Sequence, residues 1–396
     1  MELLSHNQLH EVLLDFLSPE TSLNYRAIHS TCDNVVLGYA RARLLDVLGQ
    51  DLSPVVGCGE EVNCKTVHPS FVLLLKDDIR ELLTSSPFGP RSMSAKLIGR
   101  AFKAMRAKAI TMLCGAMTSE SVRSLVHVDV TEQSDYPTGD FVRTVAANCM
   151  QLRLLDVSGF DVKISDEVLS QVATNCTQLR SLNVSWCQAK ITDASMKLVA
   201  TNCAQLESLN VCGTEGSITD ESIYLVARHC IGLKSLVVCS TCAKITDNSI
   251  KLIATNCVNL LSLDVSNSFG KITDESIVML ARNCLGLQSL DVSNTKGKIT
   301  DESIILVATH CLSLRSLNVS NTMGKITDAS MKAVGKHSQH LESLDVCSTR
   351  GVITDESITI IATNCRQLRL LLVNRTNDKI TDASLSLLDA SCYVAK

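Results

Sequence analysis

The chain has 396 residues, with 37 basic and 41 acidic side chains and a formal net charge of −4. This balance gives no strong field for nucleic acid, and no apolar run approaches the roughly 18 residues that span a bilayer, so we expect neither nucleic acid nor membrane as a partner. Apolar residues make up 45% of the chain and aromatic residues only 3%, which predicts an aliphatic core. An early acid without a basic stretch argues against a secretory signal.

Residues 1–48 have the apolar spacing of two short helices. Apolar side chains recur at helical intervals from residue 9 to residue 17, Ser18-Pro19 then breaks the run, and a second stripe follows. This stretch resembles an F-box. The resemblance implies that it binds the S-phase-kinase-associated adaptor of a cullin-RING ubiquitin ligase, and the alternative is an ordinary apolar pair of helices. The implied adaptor-binding residues are Leu13, Phe16, Leu17, Leu23 and Ile28.

Residues 49–121 are predicted to form a helical linker and an N-terminal cap. One helix is expected over residues 71–83, and residues 91–117 carry six basic side chains, no acid and an apolar stripe. Such a helix can lie on an anionic membrane or in a partner's groove, but we interpret it as the cover of the first repeat. Cys58, Cys64 and His68 lack a nearby fourth ligand, so we predict no zinc site.

From residue 122 to the end, the sequence repeats every 27 residues. The clearest marker is a cysteine column, in which Ser338 replaces one member: Cys149, Cys176, Cys203, Cys230, Cys257, Cys284, Cys311, Cys365 and Cys392. A fixed period of this length is typical of a solenoid, in which each coil buries its apolar face against its neighbours. We count about ten coils.

Each repeat predicts one strand and one helix. Leu209 and Val211 alternate at period 2, as in a short strand with one buried face. Thr300 or Asp301 can cap a helix whose apolar stripe begins at Ile304. These motifs resemble the cysteine-containing class of leucine-rich repeats. The resemblance implies an α/β solenoid, with a curved parallel sheet inside and helices outside.

The cysteines are predicted to remain thiols. Equivalent residues of adjacent coils should lie roughly 5 Å apart with parallel side chains, which keeps their β-carbons further apart than a disulfide prefers. A buried thiol column suits a reducing compartment, so we expect the cytoplasm or the nucleus. Cys239 and Cys242 form a CxxC next to Cys212, but with no fourth ligand we expect neither redox nor metal chemistry there.

The residues between the buried strand positions should line the concave face of the sheet. They form columns of Ser, Asp, Asn and Cys, a small, polar and mildly acidic surface. The candidate partner-binding residues are Trp186, Asp264, Asp291, Asp345 and Arg375. A lysine column at one edge could attract an anion, but we interpret it as solvated because each lysine precedes an aspartate by three residues.

No catalytic arrangement can be argued from the residues. The sequence offers no Ser/His/Asp set, no phosphate-binding glycine loop and no carboxylate pair in a cleft, so we predict no enzyme, no cofactor and no metal. The two resemblances together imply a substrate-recognition subunit of an SCF-type ubiquitin ligase, which holds a protein substrate on its concave face. The alternative is a signalling or cell-cycle scaffold that binds a protein through the same repeats.

Overall fold

The computed structural model describes the backbone of residues 92–94, 127–129, 138–159, 164–187, 191–350 and 352–395. Twelve strands form a single parallel sheet in sequence order. They are β1 Ser92–Ser94, β2 His127–Asp129, β3 Leu154–Asp156, β4 Ser181–Asn183, β5 Ser208–Asn210, β6 Ser235–Val237, β7 Ser262–Asp264, β8 Ser289–Asp291, β9 Ser316–Asn318, β10 Ser343–Asp345, β11 Leu370–Leu372 and β12 Tyr393–Ala395.

From β2 to β11, one helix follows each strand and leads back to the start of the next. The helices are α1 Thr138–Asn148, α2 Asp166–Asn175, α3 Asp193–Asn202, α4 Asp220–His229, α5 Asp247–Asn256, α6 Asp274–Asn283, α7 Asp301–His310, α8 Asp328–His337, α9 Asp355–Asn364 and α10 Asp382–Leu385. Each helix contacts the helix of the next coil. The predicted fold class is therefore confirmed for the described residues.

The strand register follows the 27-residue period from β2 to β11. Ser208 pairs with Ser235 and Leu209 with Leu236, and the same offset recurs along these strands. The first and last pairings depart from it, since Ser92 pairs with His127 and Leu370 with Tyr393. Strand β1 thus extends the sheet into the range for which a linker and cap are predicted.

Each repeat buries two aliphatic side chains on one face of the sheet, one in the middle of the strand and one just after its end. The middle residue, such as Leu209, and the valine two residues later, Val211, are both fully buried. The flanking Ser208 and Asn210 stay half-exposed on the opposite face. This alternation confirms the predicted strand, and it separates an apolar face under the helices from a polar concave face.

The sheet lies on the inside of the curve because neighbouring strands are closer together than neighbouring helices. Neighbouring strands are about 4.8 Å apart, whereas packed helices need about 8–10 Å between their axes. Stacking one strand and one helix per coil therefore bends the array towards the sheet.

The Ile-Thr-Asp motif begins each helix from α3 to α10 and also ties it to the preceding coil. The Thr300 hydroxyl caps its own helix by accepting the Glu302 N–H at 3.3 Å. Asp274, in the coil before, accepts the Thr300 N–H at 2.9 Å and the Thr300 hydroxyl at 2.7 Å. Ser303 donates to the same carboxylate. Threonine is thus the cap, while the aspartate bonds the next coil.

The 27-residue cysteine column is buried between the sheet and the helices, as predicted, except for Cys392 in the last coil, which is half-buried. Cys176 and Cys230 are fully buried, and their thiols donate to the backbone carbonyl of the equivalent residue one coil earlier. Burial, with a smaller contribution from neighbouring cysteines, raises the pKa of each to about 12. These side chains therefore act as small apolar groups and not as nucleophiles.

One cysteine pair corrects the expectation of thiols throughout. Cys212 and Cys239, which follow β5 and β6 on the concave side, form a disulfide with their α-carbons 4.7 Å apart. That separation lies within the range that a disulfide spans. The prediction assumed parallel side chains, but rotation about the Cα–Cβ bonds turns the two sulfur atoms towards each other.

Candidate functional site

The concave face presents acidic side chains in fixed orientations. The carboxylates of Asp264, Asp291 and Asp345, at the ends of β7, β8 and β10, are half-buried. Each accepts the backbone N–H of the residue two positions later at 2.9 Å. A partner would therefore meet carboxylates whose orientation is set before binding.

The adjacent strands β7 and β8 place Asp264 beside Asp291. Burial raises the pKa of Asp264, and the neighbouring charge of Asp291 raises it further. Asp291 also accepts a hydrogen bond from the Asn318 side chain at 2.8 Å. On its other side, Asp264 pairs in register with Val237, which has no polar group to offer. This pair is the centre of the acidic concave surface.

Trp186 and Arg375 lie in the turns that follow β4 and β11, not within the strands. Both have a positive φ, 57° and 56°. Trp186 is 41% exposed, and its ring packs so closely on Gly213 that a β-carbon there would come within 2.4 Å of it. Arg375 is exposed. The candidate residues therefore occupy separate coils, and of the five only Asp264 and Asp291 pair in register on adjacent strands.

A second surface, which the sequence analysis left as a solvated edge, runs along the turns from strand to helix. We call it the turn edge and define it by two columns of exposed residues. Among the described residues, the first column holds five lysines: Lys244, Lys271, Lys298, Lys325 and Lys379. The second column has a different residue type in each of seven described coils: Glu215, Cys242, Phe269, Lys296, Met323, Arg350 and Asn377.

The backbone holds the second column in an uncommon conformation. All seven of its residues have a positive φ between 50° and 61°. Glycine adopts this region without strain, whereas Phe269 and Met323 are bulky side chains for which it is disfavoured. The signal that could have located this edge was present in the sequence: these residues vary between coils whose packing positions do not.

The adaptor-binding candidates Leu13, Phe16, Leu17, Leu23 and Ile28 lie outside the described residues. So do Cys58, Cys64 and His68. Within the described part of the chain, no group of three or more potential ligands could hold a metal ion. In that same part, no helix has the length and apolar character to cross a membrane.

A small cavity of about 170 Å³ lies between the last two coils, lined by Cys365, Leu368 and Leu388 among others. Sites for small molecules usually enclose about 300–1,000 Å³. The extended faces are therefore better candidates for binding than this cavity.

No protein-family model and no curated protein matches the sequence. Similar solved structures include the complex of Rad7 and Elc1 from yeast, with 18% identity over 82% of this chain and 92% of the matched chain, and a TM-score of 0.49. An internalin from Listeria monocytogenes shows 18% identity over 81% and 94% of the two chains, with a TM-score of 0.40. The leucine-rich repeat-containing protein LegL7 from Legionella pneumophila shows 13% identity over 70% and 92%, with a TM-score of 0.41. Similarity at this level assigns no function to the chain.

Proposed function

We propose that the chain is a protein-binding solenoid that serves as the substrate-recognition subunit of a cullin-RING ubiquitin ligase. The observation that carries the binding role is the parallel sheet itself. Its concave face offers short polar side chains in register over successive coils. A surface of this kind suits an extended protein partner more than a small substrate.

The ligase assignment rests on the F-box-like residues at the N-terminus. In this role the chain performs no chemistry and needs no cofactor. It holds a protein substrate on the concave face, and the adaptor-bound assembly raises the local concentration of the acceptor lysine near the ubiquitin carrier. We place this activity in the cytoplasm or nucleus, on the basis of the buried thiol column. A signalling or cell-cycle scaffold that uses the same face without adaptor contact is the second candidate.

Retention of the purified adaptor by the full chain tests the ligase assignment. We expect Phe16→Asp with Leu17→Asp to abolish retention, because charges would replace the apolar groups that the resemblance places against the adaptor. Asp15→Lys, a change in the same predicted helix but outside the implied contact residues, is the control. If the unaltered chain fails to retain the adaptor, the ligase assignment is wrong and the scaffold remains.

The role of the concave face is tested by measuring the binding of a partner protein that has been captured by cross-linking and then purified. Asp264→Lys with Asp291→Lys should weaken binding without unfolding the sheet, and Trp186→Ala should weaken it less. The matched control reverses two exposed acids on the helical side, Glu275→Lys with Glu302→Lys. Equal binding by all variants would show that the partner does not use the concave face.

A further inference from the structure

The lysines of the turn edge are not neutralised by the aspartates that follow them. The carboxylates of Asp274 and Asp301 accept hydrogen bonds from the backbone N–H and the hydroxyl of the next coil's threonine at 2.6–2.9 Å. Within the described residues, Lys271, Lys298 and Lys325 have no carboxylate within salt-bridge distance, whereas Lys251 and Lys332 on the helices are paired with Glu275 and Glu356. These aspartate carboxylates therefore stabilise the fold, and the ammonium groups of the turn-edge lysines remain available to a partner.

The glycines of the turns hold the lysine side chains against the edge. A β-carbon on Gly270 would lie 3.2 Å from Cγ of Lys298, and one on Gly297 would lie 3.2 Å from Cγ of Lys325. The aliphatic stem of each lysine therefore packs over the glycine of the preceding coil and leaves its charge at the surface. Repetition of this contact produces an ordered row of cations.

Over four coils, from Phe269 to Arg350, the variable column alternates between apolar and basic residues with a period of two coils. Phe269 and Met323 are 50% and 42% exposed, while Lys296 and Arg350 occupy the coils after them. The Lys296 ammonium lies 4.9 Å from the centre of the Phe269 ring. Two coils at the strand spacing cover about 9.6 Å. A polyproline II helix covers about 9.3 Å in one turn of three residues, which is close to the two-coil repeat at the strands.

We propose that the turn edge binds an acidic segment of a partner protein in the polyproline II conformation. One position of each triplet carries a carboxylate for the lysine row, and another carries an apolar side chain for Phe269 and Met323. The exposed apolar side chains of Phe269 and Met323 favour a peptide that carries apolar side chains over a nucleic-acid backbone. This proposal rests on the proposed protein-binding function and adds a partner chemistry to it.

Binding of a fluorescently labelled peptide with repeated Glu-Pro-Leu triplets to the full chain tests the proposal. Lys271→Gln with Lys298→Gln should weaken binding at least about tenfold, because it removes two charge-assisted contacts. Lys251→Gln with Lys332→Gln loses the same charge on the helical side and should change the affinity less than about twofold. Lys271→Arg with Lys298→Arg keeps the charge and should retain binding.

The apolar contribution is tested by Phe269→Ala with Met323→Ala, which should also weaken binding. Leu285→Ala with Leu312→Ala is its control, since both leucines are 55% exposed at the opposite edge. The proposal is overturned if a Gln-Pro-Leu peptide or a scrambled peptide of the same composition binds equally well. Tighter binding of oligothymidylate, or equal losses in the two lysine pairs, would also overturn it. None of these outcomes bears on adaptor retention or on the concave-face variants, so failure of the edge is distinguishable from failure of the proposed function.

Discussion

At the scale of single residues, the aspartate at the start of each helix from α3 to α9 stabilises the stacking of two coils. Asp193 accepts the Thr219 N–H at 3.0 Å and the Thr219 hydroxyl at 2.8 Å, and Ser222 donates to it as well. Burial raises the pKa of this carboxyl, but the hydrogen bonds from Ser222 and Thr219 outweigh burial and leave the pKa below its usual value. The ionised form is therefore the one that stabilises the fold.

The effect of pH follows from that lowered pKa. The stabilisation is complete above the unfolded carboxyl pKa, near 3.9, and is lost as the pH falls through the lower folded value. Asp193→Asn should reduce the free energy of unfolding at neutral pH by about 1–3 kcal/mol, because charge-assisted hydrogen bonds are lost. The difference between the variant and the parent should shrink below pH 4, in urea titrations at several pH values.

Glu302→Gln is the matched control for this change, since Glu302 is exposed in the first turn of its helix. It should leave both the stability at neutral pH and its acid dependence close to those of the parent. A loss in Asp193→Asn that stays constant down to pH 2 would contradict the role of the ionised carboxylate.

The cap at the start of each helix was predictable from the sequence as either the threonine or the aspartate, whereas the bonds of the aspartate to the next coil were not. A capping residue is recognised from its own helix, because its partner lies two residues away. The bonds from Asp193 reach residues 26 and 29 positions along the chain, and only the stacking of the coils brings those residues near. The disulfide between Cys212 and Cys239 was missed because side-chain rotation decides it, and the period fixes only the α-carbons.

At the scale of strands and helices, the middle leucine of each strand determines whether the coil can stack. Leu290 in β8 is 1% exposed and lies in register between Leu263 and Leu317. Leu290→Asp should destabilise the solenoid by roughly 4 kcal/mol or more, since it removes aliphatic packing and buries a charge without a partner. Thermal melting followed by circular dichroism measures the loss.

The same substitution at an exposed leucine of the same coil provides the comparison. Leu285 is 55% exposed, so Leu285→Asp should change the stability by no more than about 0.5 kcal/mol. An unchanged melting transition in Leu290→Asp, or equal losses in the two variants, would contradict the assignment of β8.

The regular strands and helices could be predicted because each carries the same pattern as its neighbours. Strands β1 and β12 could not, since Ser92–Ser94 and Tyr393–Ala395 pair at offsets other than 27 residues. Their hydrogen bonds depend on which backbone lies beside the end of the sheet, and a periodic pattern contains no information on that. The concave columns followed directly from the strand alternation. The turn edge could not be predicted in this way. Its lysines were expected to be neutralised by the aspartates three residues later, and the sequence does not show that those aspartates bond the next coil instead.

At the scale of the whole molecule, stability is approximately a sum over coils and the contacts between adjacent coils. Deleting residues 284–310 removes one complete period, after which Thr327 and Ser330 come into the positions that Thr300 and Ser303 now occupy beside Asp274. We expect this shortened chain to keep its circular dichroism spectrum and to melt cooperatively, with modestly lower stability.

Deletion of residues 284–296 alone is the control, because it shortens the chain without removing a complete period. It removes a strand but leaves a helix, so the alternation of elements and the 27-residue register both fail beyond the deletion. This variant should lose cooperative melting and become sensitive to protease. If both deletions behaved alike, stacking in register would not be what holds the coils together.

The repeated bonds between coils also have a mechanical consequence. Tension applied between the two ends meets a series of nearly equal attachments, one Asp–Thr–Ser set and one strand pairing for each coil. A detached coil of 27 residues extends to about 90 Å, at roughly 3.3 Å per residue. Pulled from its ends, the molecule would lengthen in steps at a nearly constant force, so it could extend many times before the connection between its two ends was under full tension.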